Sequence, residues 1–237
     1  MPASGLTLVS PLPFSPTCPT MTSGTHVPTV GCAGASASEQ AEDNEPMNVI
    51  AFLGSPRKDG NTSILLQEAI RGVKESGHEV KSFNLARMKI RPCQNCGGCD
   101  ETGVCIIEGD EMPGIYAALR EASRIILASP IFFAGLSAQT KAMVDRCQAL
   151  WCEKYLLNRP IPEGPEGRKG LFLTVGGMKT GKGVECGGAT ATAFFRTVSV
   201  PVHASLGYRG VDAKGMIREH PTALQEAFEA GRELVRV

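Results

Sequence analysis

Val49-Ile50-Ala51-Phe52-Leu53-Gly54-Ser55-Pro56-Arg57-Lys58-Asp59-Gly60-Asn61-Thr62-Ser63 passes from an unbroken apolar run straight into a polar turn containing two glycines. A run without polar alternation is expected of a strand covered on both faces. Beyond the turn, Leu65, Leu66, Ala69, Ile70 and Val73 recur at three- and four-residue spacing until Gly77, which predicts a helix from Thr62. Strand, tight loop and helix in that order open a βαβ unit.

The pattern continues downstream. Val80 to Leu85 reads as a weaker second strand, Ile125 to Ser129 as a third, Leu171 to Val175 as a fourth and His203 to Val211 as a fifth. Between them, Asp110 is placed to cap a helix running to about Ala122, with Pro113 inside its first turn, where a missing N–H costs little. A helix from Ser137 to about Cys152, a small-residue helix around Ala189 to Thr197 and an amphipathic one from Thr222 to Val235 complete the set. Strands alternating with helices predict an α/β fold: a parallel sheet with right-handed crossovers and helices on both faces. Ligands of such sheets sit beyond the carboxyl ends of the strands. The loops after strands one, three and four are therefore the places to look.

Composition bounds the function. The 237 residues suffice for one domain with a tail, and 24 Lys and Arg balance 24 Asp and Glu. With no net field and no basic run, neither nucleic acid nor a membrane surface is an expected partner. The longest apolar stretch, Ile125 to Leu136, is 12 residues and is interrupted by Ser129 and Pro130, too short to span a bilayer. Residues 1–46 hold no Lys or Arg, four acids and seven prolines, and lack an apolar period, so they read as a disordered N-terminal extension. Met47 opens the first strand-like run, which makes an upstream extension of the reading frame one expectation for that segment. Without a secretory or transit pattern the expected location is cytoplasmic. Residues 47–237 form the expected domain.

The loop Gly54–Ser63 concentrates hydroxyls, an amide, Arg57 and the free N–H groups of a helix start. It is not a Walker A loop, since Asn61 stands where that motif needs Lys, and it lacks G-x-G-x-x-G. A phosphate monoester suits it better than a dinucleotide.

Taken with Ser129-Pro-Ile-Phe-Phe-Ala-Gly-Leu-Ser-Ala138, Lys141 and Asp145-Arg146, this loop resembles those of the flavodoxin-like, NAD(P)H-dependent FMN reductases. The resemblance implies a five-stranded sheet of order 2-1-3-4-5 and an FMN phosphate held by Ser55, Arg57, Asn61, Thr62 and Ser63. A flat isoalloxazine ring needs backbone donors and acceptors along one edge and an apolar face. Pro130, Ile131, Phe132, Phe133, Ala134 and Gly135 are the candidates for that edge, although many relatives carry Tyr where Phe132 stands. Gly176 and Gly177 are candidates for close approach on the other side, and the glycine-rich stretch to Gly188 reads as a mobile loop, a lid or nicotinamide contact. Asp145-Arg146 reads as an ion pair that fixes the fold.

Nine cysteines demand a separate account. Cys93, Cys96, Cys99 and Cys105 follow a C-x₂-C-x₂-C-x₅-C spacing, with Gly97, Gly98 and Gly103 allowing the chain to bend. Three closely spaced thiolates wrap one face of an iron–sulfur cubane and the fourth closes it. The spacing looks like the compact motif of the iron–sulfur flavoproteins, a branch of the same family, which implies a [4Fe–4S] cluster beside FMN. A structural Zn²⁺ site and unligated or redox thiols stay open as rival readings. Arg87, Lys89 and Arg91 are upstream cations that would offset a cluster's negative charge. Cys147 and Cys152 read as small buried hydrophobes, and the four histidines have no partner spacing.

The expected function is an FMN-dependent oxidoreductase or electron-transfer protein with a [4Fe–4S] cluster and NAD(P)H as a candidate donor. Its partners would be small molecules or ferredoxin-type proteins. The resemblance implies a homodimer or homotetramer with the flavin and the Cys loop near the subunit contact. No catalytic side chain is assigned. Two alternatives stand: an NAD(P)H-dependent FMN or quinone reductase without a cluster, and a non-enzymatic flavin carrier or sensor whose Cys loop binds Zn²⁺ or stays free.

Overall fold

The apolar runs become the centre of a sheet. The computed structural model describes residues 47–164 and 166–236, so the expectation for residues 1–46 lies outside the described residues. The chain order is β1 (Val49–Leu53), α1 (Asn61–Glu75), β2 (Val80–Asn84), α2 (Met112–Glu121), β3 (Arg124–Phe132), β4 (Gly135–Leu136), α3 (Ala138–Arg146), α4 (Gln148–Trp151), β5 (Lys169–Gly176), α5 (Lys182–Thr197), β6 (Val202–Arg209) and α6 (Ala223–Leu234). The spatial order is β2-β1-β3-β5-β6, every pair parallel, which is 2-1-3-4-5 for the five long strands. The two-residue β4 is an addition, paired antiparallel to the end of β3.

Alternate residues of each central strand feed opposite cores. Ile50, Phe52, Ile125, Leu127 and Phe172 pack with α2, α3, α4 and α5. Val49, Ala51, Ile126, Ala128, Leu171 and Leu173 pack with α1 and α6. Both faces are covered, which is why these strands read as continuous apolar runs. On the second face, α1 and α6 approach backbone to backbone: a β-carbon on Gly72 would lie 2.1 Å from the Phe228 carbonyl oxygen, and one on Gly231 2.0 Å from that of Ala69.

The predicted helix from Ser137 to Cys152 is in fact α3 and α4, followed by a π turn, Cys152–Leu156. Cys147 ends α3 by donating its N–H to the carbonyls of both Met143 and Val144. The predicted small-residue helix begins earlier, at Lys182, so the second half of the supposed lid is helical. The glycines there have a packing role. β-Carbons on Gly183 and Gly187, one turn apart on α5, would lie 2.9 and 2.5 Å from Ile131, so the two form a notch that receives that side chain.

At the carboxyl end of the sheet a knot of buried hydroxyls joins β1, β3, α3 and β5. Ser137 caps α3 by accepting from the Thr140 N–H, and its hydroxyl donates to the Gly54 carbonyl at 2.7 Å. Ser137 Oγ and Thr140 Oγ1 lie 2.9 Å apart, and Thr140 Oγ1 donates to Ser129 Oγ at 3.1 Å. Thr174 donates to the Ser129 carbonyl at 2.7 Å. Gly54 makes room for this knot, since a β-carbon there would lie 1.7 Å from Thr140 Oγ1.

Two substitutions separate this crowding from generic helix propensity. Gly54→Ala should destabilise by about 1–3 kcal/mol or more through forced repacking. Gly114→Ala should stabilise by about 0.5–1 kcal/mol, because it sits in α2 with nothing within 4 Å of the new methyl. Urea unfolding midpoints check both.

Candidate functional site

The β1–α1 loop is built to present donors. Gly60 occupies the N-cap position of α1 and no side chain caps the helix, leaving the first-turn N–H groups free of a side-chain partner. Ser55, Thr62 and Ser63 are nine-tenths buried or more. The Ser55 hydroxyl accepts from the Arg57 N–H at 3.3 Å.

Two cavities flank this loop. One, of about 90 Å³, is lined by Ser55, Arg57, Gly60, Asn61 and Thr62 on one side, Pro130, Ile131 and Phe132 on a second, and Val175, Gly177, Val211 and Asp212 on a third. The other, of about 350 Å³, holds Ser55, Ser63, Gln67 and Asn84 with three cations, Arg57, Lys58 and Arg87, against one carboxylate, Asp59. The structure thus brings most of the predicted loop residues from β1, β3 and β5 to one place.

Five of the expected residues have a further or different use. Asn61 lines the cavity, but its amide donates to the Ala213 carbonyl at 2.9 Å and accepts from the Ile217 N–H, so it also fastens the β6–α6 loop. A β-carbon at buried Gly176 would lie 3.3 Å from Ile131, so that glycine serves packing, whereas Gly177 does line the cavity. Phe133 points fully into solvent. With Ala134 it forms the turn between β3 and β4, both in left-handed backbone (φ 47° and 59°), the geometry of a tight hairpin turn usually given to Asn-Gly. Gly135 lies in β4 beyond that turn. Val211 and Asp212 were not foreseen, because nothing in the sequence signals that the loop after the last strand folds back here. Arg57 donates to the Asp212 carbonyl at 3.2 Å.

The second cluster is the Cys loop. Cys93, Cys96, Cys99 and Cys105 all line one cavity of about 220 Å³, together with Asn95, Asp100, Ile107, Arg146 and Gln148. Left-handed backbone at Asn95, Gly97 and Gly103 folds the chain around it. Gly98 is different: a β-carbon there would lie 2.9 Å from Ile106. Among the described residues no three of the four thiols come within 4.8 Å of one another. A tetrahedral Zn–thiolate site with bonds of about 2.3 Å would hold its sulfurs only about 3.8 Å apart.

Arg146 holds the loop closed at both ends. It donates to the Arg91 carbonyl at 3.0 Å before the first cysteine and to the Ile107 carbonyl at 3.2 Å after the last. Its ion-pair partner is Asp110, not the neighbouring Asp145, which pairs with Lys141 at 2.7 Å on the surface. Arg146 and Asp110 are 1% and 0% exposed. Asp110 also accepts from the N–H groups of Arg91 and Met112. Burial pushes its carboxyl up, but the guanidinium and these amides outweigh that and hold it below the usual range. Arg146, rather than Arg87, Lys89 or Arg91, is thus the cation on the cavity wall.

A fifth cysteine lies behind the loop. Cys152 Sγ is 3.6 Å from Cys99 Sγ and donates to Asp100 Oδ1 at 3.3 Å, with Gln148 Nε2 at 3.5 Å. Burial and the Asp100 carboxylate push its thiol up to about 12. Cys147 does behave as a small buried hydrophobe, its thiol turned to the Met143 carbonyl.

A family model for NADPH-dependent FMN reductases matches residues 47–207. The chain belongs to that family. An iron-sulfur flavoprotein of Methanocaldococcus jannaschii is 42% identical over 104 residues, 44% of this chain and 53% of the relative. Another from Archaeoglobus fulgidus is 37% identical over 133 residues, 56% of this chain and 64% of the relative. The chain spans about half to two thirds of the length of these relatives. An NAD(P)H:quinone oxidoreductase from Methanothermobacter marburgensis superposes with a TM-score of 0.60 at 19% identity, covering 81% of this chain and 98% of that one, a likeness of fold. Among the described residues no helix is long and apolar enough to cross a membrane.

The residues of this FMN reductase family member fit a flavin nucleotide. The uncapped start of α1, the buried hydroxyls of Thr62 and Ser63 and the neighbouring cations suit a phosphate. The apolar wall of Pro130, Ile131 and Phe132 suits a flat ring. The donor set of the Cys cavity fits a cluster: four cysteines of one loop line one space together with the buried Arg146.

The Arg146–Asp110 pair gives a pH-dependent prediction. Asp110→Ala leaves a buried charge without its partner and should cost about 3–5 kcal/mol near neutral pH. Because the folded carboxyl titrates lower than the unfolded one, the stabilisation is complete above about pH 3.9 and is lost as pH falls through the folded value. Denaturant unfolding of both proteins from pH 7 down to 2 should show the gap narrowing only at the acid end.

Proposed function

We propose that this chain is an FMN-dependent oxidoreductase carrying a [4Fe–4S] cluster on Cys93, Cys96, Cys99 and Cys105, with NAD(P)H as a candidate electron donor. The observation that carries the cluster is that Cys93, Cys96, Cys99 and Cys105 all line one cavity whose wall also holds the buried Arg146. The named iron-sulfur flavoproteins among the relatives support the same reading. When bound, FMN exchanges electrons singly or in pairs and a cluster singly, so the two together join pair-wise and one-electron redox partners.

The chain's own residues do the positioning. Ser55, Arg57, Thr62, Ser63 and the first N–H groups of α1 hold the phosphate, and Asn61 holds the loop that closes over it. Pro130, Ile131 and Phe132 present backbone along the ring edge, with the Phe132 ring beside it and Gly177 admitting close approach. Ile131, seated in its α5 notch, fixes the height of the cavity floor. Arg146 places positive charge against the cluster and draws the two ends of its loop together.

The flavin and Cys cavities share no lining residue within one chain. Membership of the family favours a homodimer or homotetramer with the flavin and the Cys loop near the subunit contact. The electron partners are small molecules or ferredoxin-type proteins, and the location is cytoplasmic.

Iron and acid-labile sulfide, assayed per flavin on protein purified without air, decide the main point. About four of each per flavin is the expected result for one cubane. Flavin with turnover of NADPH but no iron would mean a simple reductase, and flavin with zinc and no turnover a carrier or sensor. Cys99→Ser should lose iron and keep flavin; loss of both would show that the two sites are not separable. Thr62→Val should weaken FMN binding by roughly 10- to 150-fold, the effect of removing one hydrogen bond to a charged group, measured by quenching of flavin fluorescence.

A further inference from the structure

We infer that Cys99 and Cys152 form a redox-active dithiol pair, and that their disulfide and a metal cluster compete for the same sulfur. The disulfide stands on the geometry of the protein alone; its consequence for loading rests on the cluster proposed above.

Cys99 Sγ and Cys152 Sγ are already in van der Waals contact at 3.6 Å. A disulfide requires closure by roughly 1.5 Å to a bond of about 2.05 Å. Cys99 sits in a loop turn directly after Gly97 and Gly98, whereas Cys152 is anchored where α4 passes into the π turn. Closure is therefore a movement of the loop toward the helix. Interruptions of the α-helical pattern of this kind are frequent at functional positions.

The surroundings assign each sulfur a role. Cys99 is partly exposed and lines the Cys cavity, so an external reagent reaches it first. Cys152 is completely buried and is accessible to that reagent only through Cys99. A low-molecular-weight organic disulfide is a sufficient oxidant. Cys99 loses its proton and attacks one sulfur of the reagent, giving a mixed disulfide and one thiol. The Cys152 sulfur attacks Cys99 Sγ as its proton passes toward the departing sulfur. The Cys99–Cys152 bond forms, the mixed disulfide breaks, and the departing thiolate takes up the proton as the second thiol. Two protein thiols are oxidised and one reagent disulfide is reduced to two thiols.

The bond removes Cys99 from the four-thiol set, so oxidised protein must be reduced before it is loaded. Conversely, a cluster ligated by Cys99 shields that sulfur from oxidation. The pair makes loading conditional on the surrounding thiol poise.

The test uses the full chain, freed of metal by chelation without air, treated with excess glutathione disulfide, alkylated and digested with trypsin under non-reducing conditions. Peptide 90–120 carries all four loop cysteines, and peptide 147–154 carries Cys147 and Cys152. The expected product joins these two peptides, with fragmentation placing the bond at Cys99 and Cys152. Cys99→Ser and Cys152→Ser each abolish it, and Cys147→Ser leaves it. Bonds confined to peptide 90–120, or one to Cys147, would overturn the pairing. After the same oxidation, wild type should fail to take up iron and sulfide until dithiothreitol is added, whereas Cys152→Ala, unable to resolve the mixed disulfide, should keep glutathione on Cys99, seen as added mass on peptide 90–120. Should Cys152→Ala lose iron before any oxidation as fully as Cys99→Ser does, with circular dichroism unchanged, Cys152 is a ligand and the inference falls. A mapped disulfide in a protein that never binds iron would support the pair and defeat only the cluster.

Discussion

Three hydroxyls that must share one buried space at the carboxyl end of the sheet govern how the site is assembled. Ser129 leaves β3, Ser137 starts α3 and Thr140 lies on its first turn, and all are 0% exposed. Buried hydroxyls without partners are costly, so each is committed to another or to a backbone carbonyl. The Gly54 carbonyl belongs to that arrangement. The start of the phosphate-suited loop is thereby bonded to the start of the helix that follows the ring-edge hairpin. Two loops from different strands keep a fixed relation although neither is regular in structure.

The Cys loop is organised by charge instead. A guanidinium and a carboxylate, both out of contact with water, bracket a segment of polar and glycine residues that could not hold a shape by packing. Arg146 donates to two loop carbonyls and Asp110 accepts from two backbone N–H groups, so the pair keeps few unsatisfied atoms, although Arg146 Nε has no partner among the described residues. The loop is anchored at its ends by these bonds, which fixes where its four cysteines can stand.

Much of this was legible in the residues. Apolar runs such as VIAFL specify a strand with two covered faces, and the donors clustered after Leu53 specify an anion-suited turn. The spacing of Cys93, Cys96, Cys99 and Cys105 announced a common cavity. What stayed hidden depended on contacts distant in sequence. Asp145 beside Arg146 suggested a local pair, yet their side chains leave the helix in different directions and the true partner is 36 residues away. Gly183 and Gly187 looked like a flexible loop because a helix rich in glycine has poor propensity; the seating of Ile131 supplies what propensity lacks. Cys152 carried no motif at all, and only the fold places it against Cys99.

The notch in α5 ties two otherwise separate properties together. Ile131 fills it with one side and lines the flavin-suited cavity with the other. A bulkier residue at 131 would lever the helix off the sheet, and a methyl on either glycine would lift the cavity floor. Reshaping the ring pocket of this protein therefore calls for paired changes, one in the hairpin and one in the helix, and single-site variation there is penalised by stability before it can explore specificity.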